Sequence, residues 1–273
     1  MMHLKKPMFI PELSTPLREW QPHLRRQTVM LPMLLLSLLF VMVTSSGFDQ
    51  RLAGWFYQLQ GGQWMLHNFW LTETVLHQGV RQVNQWVVAL LLCYWLAQVV
   101  TGRRAPSHRA LGMLLLSLIL CFSSVALLKK YIPMECPWDL QQFGGDKNFV
   151  GLFSVRPETM APNQCFPAGH ASIGYGWMAL YYFCLVISPA KARLALLGSI
   201  CLGVVLGFAQ QLRGAHFMSH DIATAALCWL IVSFTFRWFY PQLAQGFISS
   251  NPMLLLPKPA VFSQGPAQEP SDV

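Results

Sequence analysis

Residues 110–128 read ALGMLLLSLILCFSSVALL, an uncharged apolar run bracketed by Arg109 on one side and by Lys129 and Lys130 on the other. A bilayer's hydrocarbon core, about 30 Å thick, takes roughly 20 apolar helical residues to cross. The run is therefore predicted to be a membrane-spanning helix. Five further runs have the same character: 28–46, 85–100, 171–187, 195–208 and 222–239. The run 195–208 is short, and reaches across a bilayer only if 194–212 is helical throughout. The expected fold class is an all-α membrane protein with six transmembrane helices and helical segments in its outer loops.

Composition agrees with lipid as the solvent. The chain is 54% hydrophobic and 11% charged, where a soluble domain carries about 25% charged residues. A formal net charge of +8 raises the question of nucleic acid, but Lys and Arg fall in short clusters between apolar runs and form no basic face. Topology accounts for them. With the N-terminus inside, twelve of the nineteen Lys and Arg lie on the cytoplasmic side, and the loops holding Arg103, Arg104, Arg109, Lys191 and Arg193 are basic, as cytoplasmic loops are. The expected topology is N-in/C-in in a bacterial inner (cytoplasmic) membrane.

The long leader before the first run argues for an uncleaved anchor rather than a signal peptide. Three regions follow: a cytoplasmic segment 1–27, a membrane domain 28–240, and a cytoplasmic tail 241–273. The tail is rich in Pro, Ser and Gln from Asn251 onward, and is predicted to be mostly disordered. The seven cysteines show no Cys-x-x-Cys pair and no zinc spacing, so neither metal nor cofactor is expected.

The first outer segment, 47–84, mixes Trp55, Phe56, Tyr57, Trp64, Phe69 and Trp70 with polar residues. It reads as an interfacial helix pair without chemistry. His23, His67, His77 and His108 read as ordinary interfacial histidines.

The second outer segment is different. It opens on Lys129-Lys130, passes Glu135-Cys136-Pro137-Trp138-Asp139, and closes on Cys165-Phe166-Pro167-Ala168-Gly169-His170 at the mouth of the fourth run. A third cluster on the same side runs from Arg213 through His216 and His220 to Asp221. Ionisable groups at helix mouths are costly and default to function. Lys and Arg suit a dianionic phosphate, and backbone N–H groups around Ala168-Gly169 at a helix start add anion-binding capacity. Two histidines from separate segments supply a nucleophile and a general acid. Trp138 and Asp139 read as loop structure. Cys136 and Cys165, each beside a site motif in one oxidising compartment, are expected to form a disulfide. Closing a loop of roughly 30 residues, it would contribute about 3 kcal/mol in the chain-entropy model.

These clusters resemble the three signature motifs of the type 2 phosphatidic acid phosphatase (PAP2) superfamily of membrane lipid phosphatases. Its first motif is Lys, six residues, Arg-Pro; Lys129 and Cys136-Pro137 keep the spacing, with Cys for Arg. Its second, Pro-Ser-Gly-His, matches Pro167-Ala168-Gly169-His170, with Ala for Ser. Its third is Ser-Arg, five residues, His, three residues, Asp. Anchored on His216, it puts Gln210 at the Arg position and His220 at the Asp position, with Asp221 one residue late.

The resemblance implies metal-free hydrolysis of a lipid phosphate through a phosphohistidine. His216 would attack phosphorus, His170 would protonate the leaving oxygen and then activate water, and Lys129 would hold phosphate oxygens. His220 or Asp221 would orient His216; an i,i+4 partner shares its helix face, which favours His220. Arg213 stands where it could replace the arginine lost at Gln210, and Arg156 or Lys130 the one lost at Cys136. Lys130 also reads as a flanking anchor. The expected partners are the bilayer and a phosphorylated lipid, not nucleic acid.

Overall fold

The computed structural model describes residues 26–105, 107–152 and 154–239. The expectations for the N-terminal segment before Arg26 and for the tail 241–273 lie outside the described residues. The helices are α1 (Arg26–Ser45), α2 (Phe48–Leu59), α3 (Val80–Thr101), α4 (His108–Tyr131), α5 (Ala171–Tyr175), α6 (Ala179–Ile187), α7 (Pro189–Leu212) and α8 (Met218–Phe239). A π-helical stretch, Leu71–Gly79, runs straight into α3. No strand occurs among the described residues, only two isolated bridges.

Four helices are long and apolar enough to cross a membrane: Leu71–Thr101, His108–Tyr131, Pro189–Leu212 and Met218–Phe239. A fifth is reached if α1 and α2, bent by 68°, count as one broken span. The bend sits at Gly47, whose φ of 68° is a conformation open to glycine at little cost. The run 171–187 is helical but short, and a 3-10 turn at Gly176–Met178 divides it. The protein is thus a multi-pass, all-helical membrane protein with four to five candidate spans. The weakly apolar run 195–208 belongs to a continuous 24-residue helix.

The outer segment departs from expectation. The second span begins at Leu71, not near 85. Polar residues at Thr72, Glu73, His77 and Gln78 lower the hydropathy of its first turns, and the sequence pattern therefore stops short. Thr72 is nonetheless buried, its hydroxyl donating to the Leu66 carbonyl. The loop 132–170 is mostly irregular rather than helical, with 3-10 turns at Pro137–Asp139 and Gln141–Phe143.

The core lies among α4, α5, α6 and α8, where Leu114, Leu118, Tyr182, Trp229 and Phe236 pack together. Outward-facing Leu34, Leu38, Trp86, Leu90 and Val204 are exposed, as lipid-facing side chains are when hydrocarbon replaces water as solvent. Where α5 meets α7 the backbones touch: a Cβ on Gly174 would lie 2.1 Å from the Gly203 nitrogen. Small residues permit this approach in lipid, where dispersion rather than hydrophobicity drives helix association.

Two contacts set the outer end of α8. The Asp49 carboxylate of α2 accepts the Ser219 N–H at 3.0 Å, satisfying an otherwise orphaned donor where a negative charge is favoured. Gly214 (φ 73°) turns the chain out of α7, and its carbonyl accepts the Trp138 N–H at 3.0 Å. The turn carrying His216 is thereby tied to the loop 132–170.

Candidate active site

Lys129 is in the last turn of α4, whose end points at the loop before α5. Its ammonium donates to the Gln164 carbonyl at 2.7 Å, and its Cε would lie only 3.0 Å from a Cβ on residue 169. Glycine at 169 leaves room for the lysine to cross toward the histidines. Lys130 is exposed, and among the described residues it has no hydrogen-bond partner; it fits the flanking-anchor reading.

His220, in the first turn of α8, and His216, just ahead of that helix, face each other with their Nδ1 atoms 3.4 Å apart. The Cys165 backbone hydrogen-bonds to both imidazoles. The contact with His220 engages Nδ1, and among the described residues no hydrogen bond to His216 Nε2 is seen. Burial first, then the positive charge of Lys129, pushes the His216 pKa well below its ordinary value. The imidazole is therefore neutral at physiological pH, as a nitrogen nucleophile must be.

His170 precedes α5. A carbonyl can only accept, so its Nε2–H donates to the Leu76 carbonyl, at 2.6 Å. Burial lowers its pKa to about 4, against the raising effect of that bond. The charges of Lys129 and His170 both act on His216.

Asp221 faces elsewhere. Gln211 donates to its carboxylate, and a Cβ on Gly207 would lie 2.6 Å from its Cγ. Rotation by one residue past His220 turns it toward α7 and away from His216. Ala168 is also committed: its N–H donates to the His220 carbonyl at 3.3 Å, and its carbonyl accepts from Thr224 at 3.1 Å. Among the described residues no donor or acceptor engages the Gly169 N–H, so of the two amides expected to bind phosphate only that one is free.

The arginines divide. Arg156 bonds to Glu135 and to the carbonyls of Pro133, Met160 and Ala161, which fastens the outer loop. Arg213 is buried. Its Nε donates to the His67 carbonyl at 2.9 Å, its Nη1 to Gln210 Oε1 at 2.9 Å, and its Nη2 to Glu73. A guanidinium has five N–H groups, so two remain for a ligand. Its charge acts on His170, and it lies against Gln210, the position whose arginine is missing.

Cys136 and Cys165 form a disulfide, Cα–Cα 5.4 Å. Asp139 caps the adjoining turn by accepting the Cys136 N–H at 3.0 Å, and Trp138 lies over His67, ring centroids 4.4 Å apart. Cys136, Asp139 and Cys165 bring ligand atoms within 4.8 Å of one another, but the two sulfurs are bonded to each other.

The three sequence clusters meet at one end of the bundle, in the order the family motifs require. A family model described as the PAP2 superfamily matches residues 109–243. These residues belong to the PAP2 superfamily. No curated protein matches the chain. A transmembrane PAP2-type phosphatidylglycerolphosphate phosphatase from Bacillus subtilis is a structural neighbour at 15% identity and TM-score 0.45; the match covers 79% of this chain and 95% of that one.

Sequence reasoning missed the share of the first outer segment in this PAP2 site. Glu73, His77, the His67 carbonyl and the Leu76 carbonyl all reach it. A signal was present: Glu73, His77 and Arg81 recur every fourth residue, one ionisable stripe of a helix.

Proposed function

We propose that the chain is a membrane lipid phosphatase. It hydrolyses the phosphate or diphosphate group of a lipid (undecaprenyl diphosphate, lipid A or phosphatidic acid in type) through a phosphohistidine on His216. The observation that carries this reading is the His216 environment: a neutral, buried imidazole whose Nδ1 is engaged by its neighbours, with Lys129 beside it and His170 in the same site. Lys129 and Arg213 supply the positive charge that a metal would otherwise bring, so the chemistry needs none. The six apolar runs are taken as six spans with both termini in the cytoplasm, α5 and α6 forming the short fourth. The site then faces the periplasm of a bacterial inner membrane, where a disulfide persists.

In the first half-reaction His216 Nε2 bonds to phosphorus as the bond to the lipid oxygen breaks, and His170 supplies that oxygen's proton. In the second, water replaces His216 on phosphorus after losing a proton to His170. Transfer to a lipid acceptor in place of water is the related alternative. A non-catalytic binding or transport role is the other reading, favoured by Cys136 in its disulfide and by the committed Ala168 N–H; Arg213 against Gln210 speaks for the enzyme.

The test is phosphate release by the purified protein from farnesyl diphosphate and from dioctanoyl phosphatidic acid. Wild type is expected to turn over at least one of them, equally well with EDTA, and His216→Ala neither. Full activity in His216→Ala ends this mechanism.

A further inference from the structure

His77 stands directly beside His170. Their rings meet edge to face with centroids 4.9 Å apart. One turn back, Glu73 Oε2 lies 3.3 Å from His77 Nδ1. An ionised carboxylate only accepts, so that nitrogen carries the proton and Nε2 is left with its lone pair. A carboxylate behind an imidazole fixes the tautomer and stabilises the imidazolium when it forms. The two histidines differ in access: His170 is 7% exposed, whereas the His77 side chain is 34% exposed.

His170 alone holds half of what its role demands. Its Nε2–H is fixed on the Leu76 carbonyl, so Nδ1 is the nitrogen left for chemistry. In the neutral ring Nδ1 accepts a proton but has none to give. Protonating a leaving oxygen requires that a proton first reach Nδ1, on a ring that is almost entirely buried. His77 touches that ring and is itself the more exposed of the two. The charged and titratable groups around His77 are Glu73, Arg213, Arg81 and His170, so one anion stands among two cations there.

We propose that His77, oriented by Glu73, relays protons between solvent and His170. The idea rests on the phosphatase reading above. When the phosphorus–oxygen bond to the lipid breaks, the Nδ1 proton of a His170 imidazolium goes to the departing oxygen. When water attacks the phosphoenzyme, His170 Nδ1 takes the water's proton as the His216–phosphorus bond breaks. Before the first step a proton reaches His170 Nδ1, and after the second one leaves it, each through His77 Nε2 by way of one intervening oxygen, so no net proton stays on the protein after a full cycle. Glu73 acts through His77 as a positioning residue.

The experiment uses the full chain in detergent with the same two probes, farnesyl diphosphate and dioctanoyl phosphatidic acid. His77→Ala is expected to lower kcat on the order of 10- to 100-fold, the smaller end of acid/base effects, with KM little changed. Added imidazole is expected to restore several-fold of the loss. His77→Gln, which keeps a polar group facing Glu73, serves as the folded control and is expected to be equally slow. Wild-type kcat in either variant overturns the relay, as does a loss in both that imidazole leaves untouched. An inactive wild type with both probes sinks the phosphatase reading itself; an active wild type with unimpaired His77 variants sinks the relay alone.

Discussion

Glu73 of the second span and Arg213 at the end of α7 form an ion pair across 140 residues of sequence. That contact, with the Gln210 side chain on the same guanidinium, holds a buried cation against residue 210. Arg213→Gln is expected to raise KM for a lipid phosphate roughly 10- to 100-fold, the worth of a charge-assisted hydrogen bond of about 1.5–3 kcal/mol. Steady-state phosphate release checks it, and an unchanged KM would show that Arg213 only braces the fold.

His220 and Asp221 are separable by the same assay. His220 faces His216 while the Asp221 carboxylate takes the Gln211 amide. His220→Ala is expected to lower kcat by about 10²-fold or more, and Asp221→Asn by far less. The reverse order would put the orienting role on Asp221.

Gly169 is a spacing residue. A Cβ there would meet Lys129 Cε at 3.0 Å, a contact the flexible lysine relieves by moving away. Gly169→Ala is expected to cost several-fold or more in kcat/KM with little change in Tm. Gly203→Ala is expected to do the opposite in stability. Its Cβ would lie 2.3 Å from the Tyr175 ring, and overpacking of this kind costs about 1–3 kcal/mol, visible as a lowered Tm in detergent.

Acid should destabilise the protein through His170. Its folded pKa of about 4 lies below the unfolded 6.5, so the unfolded chain takes up its proton first. Above pH 6.5 the group makes no difference; as pH falls from 6.5 toward 4 stability drops, by about 3 kcal/mol at the limit. His170→Gln should flatten that part of the Tm-against-pH curve. An unchanged slope would mean that His170 titrates normally in the folded protein.

How far the sequence reaches differs from residue to residue. Runs such as 110–128 declare helices because lipid demands a long unbroken apolar stretch. The motif clusters around Lys129, His170 and His216 declare themselves because ionisable groups at helix mouths are rare. His220 does face His216, but His216 lies before the start of α8, so the contact comes from the turn ahead of the helix and not from a shared helix face. Glu73 and His77 stay hidden because their polarity reads as the end of a span, when they turn into the site instead.

The amino-acid sequence by itself therefore determined the solvent, the helical class and the family, all of which depend on local pattern and spacing. Only the tertiary structure decided that Arg213 lies against Gln210, which way Asp221 points, that Arg156 serves the loop, and that the first outer segment closes over His170. Those outcomes depend on contacts between segments as much as 146 residues apart, and such contacts leave no periodic trace in the chain.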